Sequence, residues 1–393
     1  MNILFKNFRI INKGEILPNT ELSVRDGIID GFDIGCDADY DRIIDGRGEL
    51  YLSPGFIDIH THGGGGYDFM DSVAEEYDLV AVNHAKYGCT ALYPTTVSAS
   101  EEELKASLDA FKKAKEIKSG AKLLGIHLEG PYISKNQKGA MDEKYIRLPN
   151  ADEYKELFAL SDDIVRMTVA PELEGSDELG VFMREHNVIP SIGHTDAVFT
   201  DIERAHKNGG YSIMTHLYSC MPLTHRKNAW RIAGAVEAGI YLDTMFVELI
   251  ADGCHLPPEI LKMVYKFKPE DKIILVTDSM RAAGMGEGIF RFGSRANGYD
   301  IVVEDGVAKL MDRTAFAGSV ATTDRLVRTM VQMAGVPIEK AVRMITLNPA
   351  EAMGISNSFG VIEKGRAADL TVFDDDVDIK CTLVDGAFVY DKM

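Results

Sequence analysis

The chain has 393 residues, 46% of them hydrophobic, and a formal net charge of −19. This length suits a large barrel with a smaller unit beside it rather than one small domain. The negative balance argues against nucleic acid and anionic membranes as partners, and no apolar run approaches the roughly 20 residues of a membrane span.

Residues 1–11 read as a strand carrying charges, not as a signal peptide, so the expected location is the cytoplasm. Short alternating strands continue to about residue 52, with turns at Asn12-Lys13-Gly14 and Asp26-Gly27. A different rhythm then begins. Short runs rich in Ile, Val, Leu and Thr occur at residues 55–60, 90–95, 122–128, 164–170, 188–193, 211–216, 244–251 and 272–277. Helix-like stretches separate them, for example residues 72–87, 100–118 and 196–207, and Ser100 with Glu103 fits a capping box. Eight strands alternating with helices predict an α/β fold, a (β/α)8 TIM barrel. An open doubly wound sheet is the runner-up, but no G-x-G-x-x-G follows the first strand. From about residue 360 short strands return, with turns at Glu363-Lys364-Gly365 and Asp385-Gly386. Neither flank alone has enough strands to bury a face. Residues 1–52 and 355–393 together are expected to form one small β-sandwich domain, with residues 53–354 as the catalytic barrel.

Barrel enzymes place their chemistry at the C-terminal ends of the strands. His60-Thr61-His62 closes the first run, and alternate residues on a strand share a side, so both imidazoles can face one ion. Glu129 ends the third run, His194 the fifth, His216 the sixth and Asp278 the eighth. Imidazoles and carboxylates are the ligand set of zinc or another first-row divalent ion. A single His or Asp at a strand end is usually a structural hydrogen-bonder, but six at the strand ends of one barrel point to a metal centre, because buried charges need partners. Gly63 to Gly66 is no phosphate loop, since no Gly-Lys-Ser/Thr follows. His127 alternates with Glu129 and is a candidate to support the ligands and to touch substrate; His255, after the seventh run, is a candidate to hold substrate. His84, His186 and His206 lie in helix-like segments and read as surface or packing residues. Cys36, Cys89, Cys220, Cys254 and Cys381 are odd in number and widely spaced, as expected of inert buried thiols. One local basic cluster, Thr224-His225-Arg226-Lys227-Asn228-Ala229-Trp230-Arg231, can override the global charge for a small anionic substrate.

These motifs carry a resemblance. Ser53-Pro54-Gly55-Phe56-Ile57-Asp58-Ile59-His60-Thr61-His62 resembles the first-strand motif of the amidohydrolase superfamily, and Gly365-Arg366-Ala367-Ala368-Asp369-Leu370 resembles its return into a composite sandwich. His127-Leu128-Glu129-Gly130-Pro131, Ile192-Gly193-His194-Thr195, Thr215-His216-Leu217-Tyr218, Ala251-Asp252-Gly253 with His255, and Val276-Thr277-Asp278 are similar to the N-acetylglucosamine-6-phosphate deacetylase family. The resemblance covers nearly the whole chain. Binuclear relatives such as dihydroorotases carry a carboxylated lysine on the fourth strand; residues 164–170 hold no lysine, and Glu129 matches the third-strand glutamate that the deacetylases use instead.

The resemblance implies hydrolysis of the acetamide of N-acetylglucosamine 6-phosphate by a homodimer holding one or two divalent ions per subunit, zinc first, with iron or another first-row metal as alternatives. It implies Glu129, His194 and His216 as ligands of the principal metal, His60 and His62 as a second position, and Asp278 as the catalytic aspartate. It places Arg226, with His225 beside it, at the sugar phosphate, often offered to the neighbouring subunit, and His255 at the substrate. Two departures fall in the substrate region. Ser219-Cys220 stands where the family reads Asn-Ala, leaving only backbone N–H groups there, and Met141 follows Lys138-Gly139-Ala140 where many members have His. Deacetylation of N-acetylgalactosamine 6-phosphate or an unphosphorylated amino sugar, another amidohydrolase reaction, and a non-catalytic barrel remain the alternatives.

Overall fold

A computed structural model describes residues 1–33 and 40–393, so Cys36 lies outside the described residues. Eight parallel strands follow one another round a barrel: Phe56–Thr61, Cys89–Thr96, Ile126–Glu129, Ile164–Val169, Ile189–Ile192, Ile213–Met214, Phe246–Leu249 and Ile273–Leu275. Each pairs with the next in parallel register, and a parallel bridge between Thr61 and Ser279 closes the ring. A helix follows each strand: Ala74–Ala85, Glu101–Ala114, Ala151–Ala159, Ser176–Glu185, Phe199–Arg204, Ala235–Tyr241, Pro258–Phe267 and Thr323–Gln332. The second of these starts with the expected capping box, in which Glu103 N–H donates to Ser100 Oγ and Ser100 N–H donates to Glu103.

Burial explains why the barrel reads as continuous apolar runs. A strand covered by helices on one side and filled by the barrel interior on the other has no solvent face; all eight residues of Cys89–Thr96 are buried. Ile57, Ile59, Tyr93, Ile213, Ile274 and Val276 pack in one interior cluster, joined by Ala350 and Met353 from beyond the eighth helix.

Both chain ends build one eight-stranded sheet. Its branch point is the strand Ile3–Asn12, which pairs antiparallel with Glu15–Arg25 and parallel with Arg42–Asp45 through residues 3–6 and with Tyr51–Pro54 through residues 9–10. Tyr51–Pro54 in turn takes up Leu370–Phe373 from the other end of the chain. Ile3, Phe5, Leu22 and Val24 share one core with Leu370, Val372 and Leu383. The turns expected at Lys13-Gly14 and Asp26-Gly27 are present, with φ of 53° and 78° and of 48° and 81°, the left-handed pairs that two-residue hairpins favour.

Two elements were not anticipated. Gly288–Phe292, Tyr299–Glu304 and Val307–Leu310 form a three-stranded antiparallel sheet between the eighth strand and its helix. His225–Lys227 and Trp230–Ile232 form a separate exposed hairpin. Among the described residues no helix is long and apolar enough to cross a membrane. Cys89 and Cys381 are buried, Cys220 and Cys254 are partly accessible, and none of the four is in a disulfide.

Candidate metal centre

His60 and Glu129 lie on the first and third barrel strands; His62, His194, His216 and Asp278 lie just past the ends of the first, fifth, sixth and eighth. His194, His216 and Asp278 take left-handed backbone with φ of 48°, 33° and 47°, a region sparsely used by non-glycine residues and recurrent at functional sites. The loop after His62 turns sharply: a Cβ on Gly63 would lie 2.2 Å from the carbonyl oxygen of Tyr67, so that position requires glycine. Backbone N–H groups of Asp278 and His62 donate to His60 and Ser279 carbonyls at 2.9 and 2.8 Å, stitching the first and eighth strand ends together.

Glu129 is the hub. Its Oε1 lies 3.2 Å from His194 Nε2, 3.0 Å from His216 Nε2 and 3.5 Å from His60 Nε2, while its Oε2 lies 3.3 Å from His62 Nε2. Asp278 Oδ1 lies 3.4 Å from His60 Nε2 and 3.1 Å from His62 Nε2. Two ligand groups result, His60–His62–Glu129 and Glu129–His194–His216, each with its donor atoms within 4.8 Å of one another.

These residues fit a divalent ion. His60 Nε2 is a buried nitrogen with no hydrogen-bond partner among the described residues. The opposite nitrogens are engaged: His60 Nδ1 lies 3.2 Å from Glu248, and His62 Nδ1 and His194 Nδ1 lie 3.1 and 2.7 Å from the carbonyls of Thr95 and Gln137. Proton donation from Nδ1 leaves each Nε2 lone pair for a metal. Burial opposes charge on His60 and His62, but Glu129 and Asp278 outweigh it and raise their pKa values to about 9 and about 10. Burial likewise favours neutral carboxyls, yet the surrounding imidazoles hold Glu129 well below, and Asp278 below, the usual carboxylate range. Asp278 is thus an ionised carboxylate, and its side chain is 12% exposed where His60 is sealed at 0%.

The centre opens into a cavity of about 220 Å³. Ser219, Cys220, His255 and Met141 line it, with Phe292 and Phe316 from the region between the eighth strand and its helix. His255 Nδ1 lies 2.9 Å from Asp252 Oδ2, and its ring packs on Phe316. Three expected substrate residues do not reach this cavity within one subunit. His127 is fully buried, with Nδ1 and Nε2 3.3 and 2.7 Å from the hydroxyls of Thr95 and Thr168, and packs edge-on against the His60 ring. Burial and nearby Arg166 keep it neutral, its pKa well below the ordinary value. His225 and Arg226 sit on the exposed hairpin. His84 is a packing residue, buried against Thr61, Gly63 and Ser279.

Below the ligands lies a buried charged network that no motif in the sequence marks. Arg166 and Glu248 form an ion pair with both side chains 0% exposed. Burial works against the Glu248 charge, but Arg166 and His60 hold its carboxyl below the usual range. Asp58 is also sealed, accepting from the Thr277 hydroxyl and from the backbone of His60 and Thr277. The available signal was a charge in the middle of an apolar run, as in Ile164-Val165-Arg166-Met167 and Phe246-Val247-Glu248-Leu249.

The amidohydrolase family model matches residues 51–389. The chain is 32% identical over 396 residues to the N-acetylglucosamine-6-phosphate deacetylase of Bacillus subtilis (strain 168), covering 99% of this chain and 97% of that one. Its fold matches the crystal structure of the N-acetylglucosamine-6-phosphate deacetylase from Pasteurella multocida with a TM-score of 0.91 at 28% identity, over 99% of each chain. It also matches, with a TM-score of 0.88 at 28% identity over 99% of each chain, a mutant of the Mycobacterium smegmatis deacetylase in complex with N-acetyl-D-glucosamine-6-phosphate.

Proposed function

The chain belongs to the amidohydrolase family, and from that membership we propose that it is an N-acetylglucosamine-6-phosphate deacetylase, releasing acetate and glucosamine 6-phosphate. The observation that carries this reading is the convergence of Glu129, four imidazoles and Asp278, all but the sealed His60 lining one cavity. A bound divalent ion would lower the pKa of water and polarise the acetyl carbonyl. Glu129, His194 and His216 would hold the principal ion, and His60 and His62 a second; zinc suits the imidazole-rich donor set.

Asp278 performs the proton transfers. Ionised and facing the cavity, it takes a proton from water as the oxygen attacks the acetyl carbon. It then delivers that proton to the sugar nitrogen as the C–N bond breaks, because an amine anion does not leave. His255, anchored by Asp252, leaves Nε2 for the substrate. The two ring walls, Phe292 and Phe316, restrict water around the sugar.

The phosphate needs a cation that the cavity of one subunit does not supply: among the described residues no Lys or Arg lines it. The exposed hairpin carries Arg226, Lys227 and Arg231 together with the apolar Trp230, 76% exposed, and Leu223 just before it is 52% exposed. A homodimer would bury this apolar surface and bring Arg226 to the neighbouring cavity, where a guanidinium binds phosphate with charge-assisted hydrogen bonds. The reading is tested by acetate release from metal-supplied protein on N-acetylglucosamine 6-phosphate, its galacto epimer and the unphosphorylated sugars. We expect the gluco phosphate to give the highest kcat/KM. A higher value on any of the other sugars would overturn the substrate assignment.

A further inference from the structure

Two charges in the barrel interior take no part in the hydrolytic steps. Arg166, on the fourth strand, donates Nε–H to Ser191 Oγ at 2.7 Å. One terminal nitrogen donates to the Ile59 carbonyl at 3.1 Å and to Glu248 Oε1, and the other donates to Thr215 Oγ1 at 3.0 Å. Glu248, on the seventh strand, uses its other oxygen, Oε2, to accept from the His216 backbone N–H at 3.1 Å and from His60 Nδ1 at 3.2 Å. A buried ion pair of this kind is weak evidence for stability, since apolar side chains of similar volume often do as well. The arrangement makes one specific difference to the metal centre. The Nδ1 atoms of His62 and His194 meet neutral carbonyl oxygens, and His216 Nδ1 has no hydrogen-bond partner among the described residues. His60 alone among these four imidazoles has a carboxylate on Nδ1. Such a partner fixes the tautomer, aims the ring and strengthens Nε2 as a ligand. That Nε2 is the buried nitrogen without a hydrogen bond, facing Glu129 and Asp278.

We infer that Glu248, clamped by Arg166, is a positioning residue that governs occupancy of the His60–His62 metal position while touching neither substrate nor ion. The inference rests on the reading that His60 and His62 serve a second ion beside the one held by Glu129, His194 and His216. Glu248 meets the latter group only through the His216 backbone, so loss of its carboxylate acts unequally on the two positions.

The test strips the full chain with a chelator and titrates Zn²⁺ into it, counting ions per subunit by elemental mass spectrometry and reading each Kd by calorimetry. Wild type takes two ions. Glu248→Gln keeps the first with unchanged Kd and weakens the second by about tenfold to a hundredfold, the scale for such supporting partners. The double variant Arg166→Met with Glu248→Met removes both charges at similar volume, guards against misfolding caused by an unpaired arginine, and shows the same selective loss. Wild-type Kd values at both positions in these variants, or equal weakening at both, would overturn the inference. A wild type that takes only one ion would instead overturn the two-position reading beneath it.

Discussion

The metal end and the sugar end of the cavity are built on different principles. At the metal end each side chain comes from, or just beyond, the end of a barrel strand, is nearly sealed from solvent, and is held by neighbouring strands; Asp278 N–H, for example, donates to the His60 carbonyl at 2.9 Å. At the sugar end the walls are loops, namely Gly139 to Met141, Ser219-Cys220 and the segments bearing Phe292 and Phe316, and the expected phosphate residue Arg226 stands on an exposed hairpin. A closed barrel fixes its strand ends through the hydrogen-bonded ladder, so residue type at a strand end suffices to place the chemistry. Loops take their positions from contacts distant in sequence, and specificity built on them varies more readily.

Substitutions at the two ends should therefore fail in different ways. Glu129 joins both ligand groups, so Glu129→Ala should empty the centre and lower kcat/KM by about a thousandfold or more, the scale of several kcal/mol of lost Lewis-acid stabilisation; a variant with full metal content by elemental analysis would break the assignment. Chelation of the wild type should abolish acetate release reversibly, with recovery on adding Zn²⁺; activity that persists in metal-free protein would contradict the metal role. Asp278→Asn should leave metal content near normal and reduce kcat by at least about a hundredfold, as expected on losing an acid–base group; unchanged turnover would remove Asp278 from the proton transfers. Arg226→Ala should raise KM for the phosphorylated sugar by about tenfold to a hundredfold, given the strength of charged hydrogen bonds, with kcat and metal content little changed. Equal losses on phosphorylated and unphosphorylated sugars would show that the sugar end has no phosphate contact at Arg226.

The same contrast explains what the sequence disclosed. The apolar runs located the barrel strands because strands buried on both sides cannot contain regular polar alternation, although the sixth, expected over residues 211–216, is only Ile213–Met214. The hairpin turns were legible because Lys13-Gly14 and Asp26-Gly27 satisfy a local backbone requirement. Arg166 and Glu248 were not legible as a pair. Each interrupts an apolar run, and the partner that makes it tolerable is 82 residues away. The sheet over Gly288–Phe292, Tyr299–Glu304 and Val307–Leu310 was missed because its strands are half-exposed and carry Arg291, Asp300 and Lys309, leaving apolar stretches no longer than Ile301-Val302-Val303. His127 shows the limit of strand alternation. It lies two residues before Glu129 on the same strand, but Thr95 and Thr168 hold it behind the His60 ring, away from the cavity.

Separate strand ends enclosing one divalent cation are what the proposed chemistry depends on. Anomalous X-ray scattering at the zinc edge, from crystals of the zinc-supplied protein, tests this most directly. A peak is expected within about 2.0–2.2 Å of ligand atoms from Glu129, His194 and His216. A well-ordered barrel with no anomalous peak among those side chains would contradict it.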